Sequence, residues 1–301
     1  MRIPENYTYA PPDFERMVAE QRMRNVEELV VYLNYRRNGV FDGDAGRLVE
    51  LARRLRELGI EIPEDDDGRA VRAWFVSYGK KLDEKLTSYC RNHGQSPEYV
   101  LRRLYEDRTL CELFAVDPQR QTTHQSYAAD WISRNMFFVT GFRVLPSGRK
   151  NAMYVLEGTV RTGDKPSKNK SIDFYWTYPF KGRVLKFYAT HKYTKQEGGA
   201  QDNQFADVLG FMENANKSND EDARFFAVTD GDYYLEPTKR YGSGRLAFLR
   251  DQTVRRTFAT NCEGLGPAIL EAIEDWLTRS FSPEEIAEEL SDVRKAKALF
   301  D

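Results

Sequence analysis

Ser171-Ile172-Asp173-Phe174-Tyr175-Trp176, followed by Leu185-Lys186-Phe187-Tyr188-Ala189-Thr190-His191-Lys192-Tyr193, decides how this chain reads. The runs Ser171–Tyr178 and Val184–Thr194 are β-branched and aromatic and of strand length. Phe180-Lys181-Gly182 between them reads as a tight turn, so the two form a hairpin. Asp173 then lies inside an apolar strand, where a carboxylate is costly unless it is paired or binds a metal. Thr190 and Lys192, two residues apart, share one face of their strand. The hairpin sets Lys192 beside Asp173. A carboxylate that holds Mg2+ and a lysine that positions or activates water are what phosphodiester hydrolysis needs. The metal offsets charge on the scissile phosphate and makes its bound water more acidic.

Around this hairpin the pattern predicts helix, three strands, helix, strand, an α/β core with a mixed sheet. The helix is Thr123–Arg134, and the first strand is Ala152–Val160. The loop Gly163–Lys170 leads to the strand with Asp173. Asn203–Lys217 is the second helix and Arg224–Thr229 the last strand, ended by the turn Asp230-Gly231-Asp232. The N-terminal part is helical by its spacing: Phe14–Tyr35, Ala45–Leu58 stopped by Gly59, Ala70–Arg91, and a helix opened by Ser96-Pro97-Glu98. The tail holds two more helices, the second started by Ser282-Pro283-Glu284-Glu285. The expected division is a helical region over residues 1–118, a core over 119–262, and a helical tail over 263–301.

Charge is unevenly spread. The net charge of the 301 residues is −2, yet Arg143–Lys195 carries twelve Lys/Arg against three acids. That leaves the rest of the chain at −11. A locally basic, strand-rich segment in an acidic protein is the footprint of a polyanion site. From Glu263 onward there are ten acids and four basic residues. No apolar run has the length of a membrane span, and Met1–Asn6 has no signal-peptide character. Three widely spaced cysteines, Cys90, Cys111 and Cys262, read as reduced thiols in a cytoplasmic protein. Cys90 and His93 make only half of a zinc motif.

The run Lys192–Gln204 is dense in polar groups before a helix, and Gly198-Gly199 delivers Gln201, Asp202, Asn203 and Gln204 at the helix N-terminus. With these residues in view, the chain resembles the PD-(D/E)xK nuclease superfamily and, within it, type II restriction endonucleases. The likeness covers roughly residues 119–235, about 40% of the chain. Ile172-Asp173 stands where the family has its proline and acid, with Ile in place of proline. Thr190-His191-Lys192 matches the family tripeptide, with the lysine kept and Thr in place of the first acid.

The resemblance implies a helix–strand–strand–strand–helix–strand core, Mg2+ as cofactor, sequence-specific hydrolysis of double-stranded DNA and a homodimer. It implies Asp173 and Lys192 as catalytic residues. A carboxylate from the following helix replaces the one Thr190 lacks, with Asp207 the first choice and Asp202 or Glu197 the alternatives. Asp173, Asp207 and Asp202 are thus the expected metal ligands. Lys165, Lys168, Lys170, Lys195, Gln201, Asn203 and Gln204 are the expected DNA contacts.

Other residues carry two readings. Glu157 is a strand-edge ion pair or a further metal ligand. His124 or Gln125 of the first core helix acts near the metal, or Thr122 or Thr123 merely caps that helix. His191 points away from Lys192. Tyr175, Trp176, Tyr233 and Tyr234 stack on bases or pack in the core. The contrasting function is a non-catalytic DNA-binding or assembly protein that kept the fold and lost the glutamate. A third is a less specific repair or defence nuclease.

Overall fold

A computed structural model describes residues 4, 7–39, 45–65, 68–117, 123–146, 150–195 and 199–300. Two compact units divide the chain: Asp13–Thr123, and the residues up to Pro12 together with His124–Asp301. The division falls after Thr123, close to the expected boundary at 118. The tail is not separate from the core, and the first dozen residues belong with them. Trp131 Nε1 donates to the Ala10 carbonyl at 2.7 Å, and Tyr9 Oη donates to the Glu263 carbonyl at 3.1 Å.

The first unit is helical: α1 (Phe14–Arg37), α2 (Ala45–Glu57), α3 (Arg69–His93), α4 (Pro97–Leu104) and α5 (Arg108–Phe114). Its starts are set by side chains that accept from otherwise unpaired backbone N–H groups. Asp13 accepts from Arg16, Ser96 from Tyr99 and Asp107 from Leu110. One core of Leu29, Leu33, Leu51, Leu55, Val71 and Leu82 holds it together. His93 is exposed, with its ring against Tyr89, and Cys90 is buried and free.

The second unit is mixed α/β. In chain order it holds α6 (Thr123–Asn135), β1 (Thr140–Val144), β2 (Met153–Leu156), β3 (Thr159–Thr162), β4 (Phe174–Phe180) and β5 (Arg183–Tyr193). There follow α7 (Gly199–Ala215), β6 (Ala223–Asp230), α8 (Asp232–Leu235), α9 (Arg245–Asp251), β7 (Thr257–Thr260), α10 (Leu265–Ser280) and α11 (Pro283–Lys297). The main sheet has the order β1-β4-β5-β6-β7. β1, β4 and β5 run antiparallel, while β6 and β7 are parallel to β5. The β4–β5 hairpin is as expected, with Lys181-Gly182 as its two-residue turn.

The expected strand over 152–160 is instead a separate hairpin, β2–β3. Glu157 and Gly158 both take positive φ, 47° and 77°, the backbone of a tight two-residue turn. A side chain at Gly158 would also meet the Lys217 carbonyl at 2.5 Å. The first strand of the main sheet is β1, which sequence reading passed over. Its five residues are mostly exposed and pair with β4 at the sheet edge, with Phe142 against Phe174.

Each strand presents alternate residues to opposite faces. Trp176, Phe187, Phe226 and Phe258 line one face, stacked across the strands, and α10 covers it through Trp276 against Tyr178. α7 covers the other with Phe205, Val208, Phe211 and Met212, in one core with Val155, Phe225 and Ala227. Arg224 is fully buried on β6 and donates to Asp275 of α10 at 3.2 Å, so the C-terminal helices complete the sheet's charge balance.

The loop before β4 rests directly on α7. Asn169 Nδ2 donates to the Val155 carbonyl at 2.8 Å. A Cβ on Gly210 of α7 would stand only 1.7 Å from the Lys168 carbonyl oxygen. Gly210→Ala should therefore destabilise the protein by about 3 kcal/mol, the upper range for overpacking. Urea unfolding followed by circular dichroism reads this; an unchanged midpoint would mean that the loop does not rest on α7.

Candidate active site

Asp173 sits one residue before β4 and continues its pairing. Its N–H donates to the Ala189 carbonyl at 2.8 Å, and its own carbonyl accepts from Leu145 at 2.8 Å. This places its side chain across from Thr190, on the face under α7. The residue is only 2% exposed, so its carboxylate needs donors, and it has them. Lys170 Nζ lies 3.0 Å from Oδ1 and 2.7 Å from Oδ2. The His191 backbone N–H donates to Oδ2 at 2.8 Å, and Thr190 Oγ1 donates to it at 3.2 Å. Gln125 Nε2 of α6 reaches Oδ1 at 3.4 Å. Of the two readings for α6, the side chain of Gln125 thus reaches the acid. Thr122 lies outside the described residues.

Lys192 follows on the same face and is half-buried. Burial, with Lys170 alongside, pushes its pKa down, against the opposing pull of Asp173 and Asp207. Asp207, a little over two turns into α7, holds an ion pair with Lys165 at 2.5 Å. Tyr154 of β2, buried and with its pKa raised mainly by burial, feels Lys165, Asp164, Asp173 and Asp207 together. Lys192 thus lies within electrostatic reach of Lys170, Asp173 and Asp207, and Tyr154 within reach of Lys165, Asp173 and Asp207.

The structure does not bring Asp202, an expected metal ligand, to this group. It lies in the first turn of α7 and accepts from Tyr233 Oη at 2.9 Å, with Arg245 at 3.8 Å. Arg245 is seated over the Tyr233 ring at 3.8 Å, so this end of α7 is fastened towards α8 and α9. Glu197 lies outside the described residues. Glu157 forms an exposed ion pair with Lys217 at 2.7 Å, the strand-edge reading.

Of the expected DNA contacts, Lys165 and Lys170 are turned onto carboxylates, and Lys168 and Lys195 are exposed. Gln201 and Gln204 are half-buried and Asn203 is exposed on the first turns of α7. Trp176, Tyr233 and Tyr234 are buried, as core packing requires. Tyr175 is half-buried beneath the Arg143 guanidinium, 4.7 Å from its ring centre.

On the opposite face, the His191 ring meets Asp230 at 3.2 Å, and Asp230 accepts from the Cys262 N–H at 3.0 Å. Among the described residues these three buried side chains are the one set of three or more His, Cys, Asp or Glu whose ligand atoms lie within 4.8 Å of one another. Burial and the neighbouring Asp230 raise the Cys262 thiol far above its usual range, so it stays protonated. Sulfur and imidazole also suit softer metals than Mg2+. The group acts as a bracket between β5, β6 and the segment after β7. Asp230 was legible only as a turn residue; its partners depend on parallel pairing between distant strands. Lys170 was read as a phosphate contact, although its place three residues before a buried acid is the signal for a counter-ion.

Comparison of the chain with protein-family models, with curated proteins and with solved structures found no match. No helix among the described residues is long and apolar enough to cross a membrane.

The depressed Lys192 gives a direct test. A folded-state pKa below the ordinary lysine value means that the amine loses its proton at lower pH than exposed lysines do. Competitive amine labelling across pH 7 to 11, read by mass spectrometry, should place the Lys192 midpoint below that of a free lysine side chain. Coincident midpoints would remove the burial argument.

Proposed function

We propose that this chain is a Mg2+-dependent nuclease that hydrolyses duplex DNA at specific sequences, a type II restriction endonuclease built on a PD-(D/E)xK-like core. The observation that carries this reading is that Asp173 and Lys192 share the face of the β4–β5 hairpin that α7 covers, with Asp207 of α7 within electrostatic reach of Lys192. The order α6, β1, β4, β5, α7, β6 agrees with the helix–strand–strand–strand–helix–strand core of that superfamily, with the β2–β3 hairpin inserted. The local excess of positive charge supports a polyanionic substrate.

The donor set fits a hard divalent cation. It is made of oxygens, two carboxylates and the Thr190 hydroxyl, and a positive charge already lies across both oxygens of Asp173. Mg2+ bound there supplies charge neutralisation at the phosphate and a more acidic water. Asp173 and Asp207 are the residues that would hold it. Thr190 and the His191 N–H fix the orientation of the Asp173 carboxylate. Lys192, whose pKa burial lowers, positions the attacking water beside the phosphate. Lys168 and Lys195 grip backbone phosphates, and Gln201, Asn203 and Gln204 approach base edges. A two-fold dimer matches a palindromic site.

Incubating the purified protein and Mg2+ with long DNA of known sequence should give discrete bands that vanish with EDTA. A smear means a less specific nuclease, and intact DNA means a binding protein. Asp173→Ala, Lys192→Ala and Asp207→Asn should each lower the cleavage rate by on the order of 10³-fold, while the circular dichroism spectrum is retained. Thr190→Glu combined with Asp207→Asn should recover part of the loss, because it returns a carboxylate to the strand. Full activity in Asp207→Asn would remove Asp207 from the site.

A further inference from the structure

Three lysines ride on the loop before β4, and two of them are paired with carboxylates. Lys170 spans both oxygens of Asp173 with its side chain only 22% exposed, and Lys165 pairs with Asp207, whose side chain is 21% exposed. The loop backbone that carries them is fixed. Gly163 N–H donates to the Ala152 carbonyl at 3.1 Å, Asn169 is tied to Val155, and the Lys168 carbonyl is pressed on Gly210. What remains adjustable is the four-carbon stem of each lysine.

The other donors to Asp173 have less freedom. The His191 N–H belongs to β5 backbone, and the Thr190 hydroxyl is fully buried beside it. Oδ2 accepts from Lys170, Thr190 and His191. Oδ1 accepts from Lys170 at 3.0 Å and from Gln125 at 3.4 Å, so a cation that coordinates this carboxylate competes first with the Lys170 ammonium. On Asp207 the Lys165 ammonium sits on Oδ2, and a cation bound there competes with it for the same negative charge.

Resting on the nuclease reading, we propose that Lys170 and Lys165 are exchangeable counter-ions, which hold the two carboxylates until a divalent cation displaces them and then engage DNA phosphates. Metal and DNA binding are linked through these two side chains, and such linkage is reciprocal. A lysine that competes with metal and then binds phosphate affects the two ligands with opposite sign. A lysine that only supports the fold weakens both.

The test uses the full chain and Ca2+ as the probe. Isothermal titration without DNA should show Lys170→Met binding Ca2+ at least about threefold more tightly than wild type, the gain expected when a competing ion pair is lost. Fluorescence anisotropy of a labelled duplex should show that Ca2+ raises DNA affinity less in this variant than in wild type. Lys165→Gln, in a more exposed pair, should show the same two shifts, and decides the matter if Lys170→Met does not fold. Ca2+ affinity equal to or below wild type in the folded variants overturns the exchange and leaves the nuclease reading standing. Absence of Ca2+ binding to wild type overturns both.

Discussion

A carboxylate taken out of water must find charge or hydrogen bonds within the protein, and Asp173 is almost wholly removed from solvent. Its needs are met from three directions. β5 contributes a backbone N–H and a hydroxyl, the preceding loop an ammonium, and α6 an amide. The pairing register of β4 with β5, the seating of the loop on α7 and the placement of α6 all meet at this one side chain. Removing a donor would leave a buried charge short of partners, which is among the more destabilising single changes a fold can suffer.

The alternation of β5 divides labour between its faces. Thr190 and Lys192 look towards α7 and the carboxylates. His191, between them, looks the other way and is held by Asp230, itself held by the backbone of Cys262. Yet the His191 N–H is a donor to Asp173. The buried bracket behind the sheet thus sets the position of an atom that orients the acid in front of it. This gives His191 a part in the site although its ring never enters it.

What sequence alone conveyed followed the range of the interactions. The β4–β5 hairpin, the helices with Ser96 and Ser282 at their starts, and the shared face of Asp173, Thr190 and Lys192 depend on neighbours in the chain, and periodicity and turn chemistry report these. β1 escaped because a short, mostly exposed edge strand gives only a weak apolar pattern. The β2–β3 hairpin was merged into one strand because Glu157-Gly158 interrupts it by backbone conformation and not by a change in composition. The roles of Asp202 and Asp230 depend on Arg245, Tyr233 and Cys262, which come from distant elements. Arg224, buried on a strand otherwise apolar, finds Asp275 only once α10 has docked, so the tail looked detachable in sequence when it is part of the sheet's support.

The spacing of the donors around Asp173 also bears on how the chain reaches this state. Lys170, Thr190 and His191 lie 3, 17 and 18 residues from it along the chain. Closing loops this short costs little entropy, and a hairpin forms within microseconds. β6 is different: it pairs in parallel with β5 and needs the whole α7 crossover to be in place first. The partners that satisfy the acid are thus local in the chain, whereas the elements that cover it, α7 and β6, are reached only across a longer connection. Satisfaction of the charge and its burial are set by different ranges of the chain.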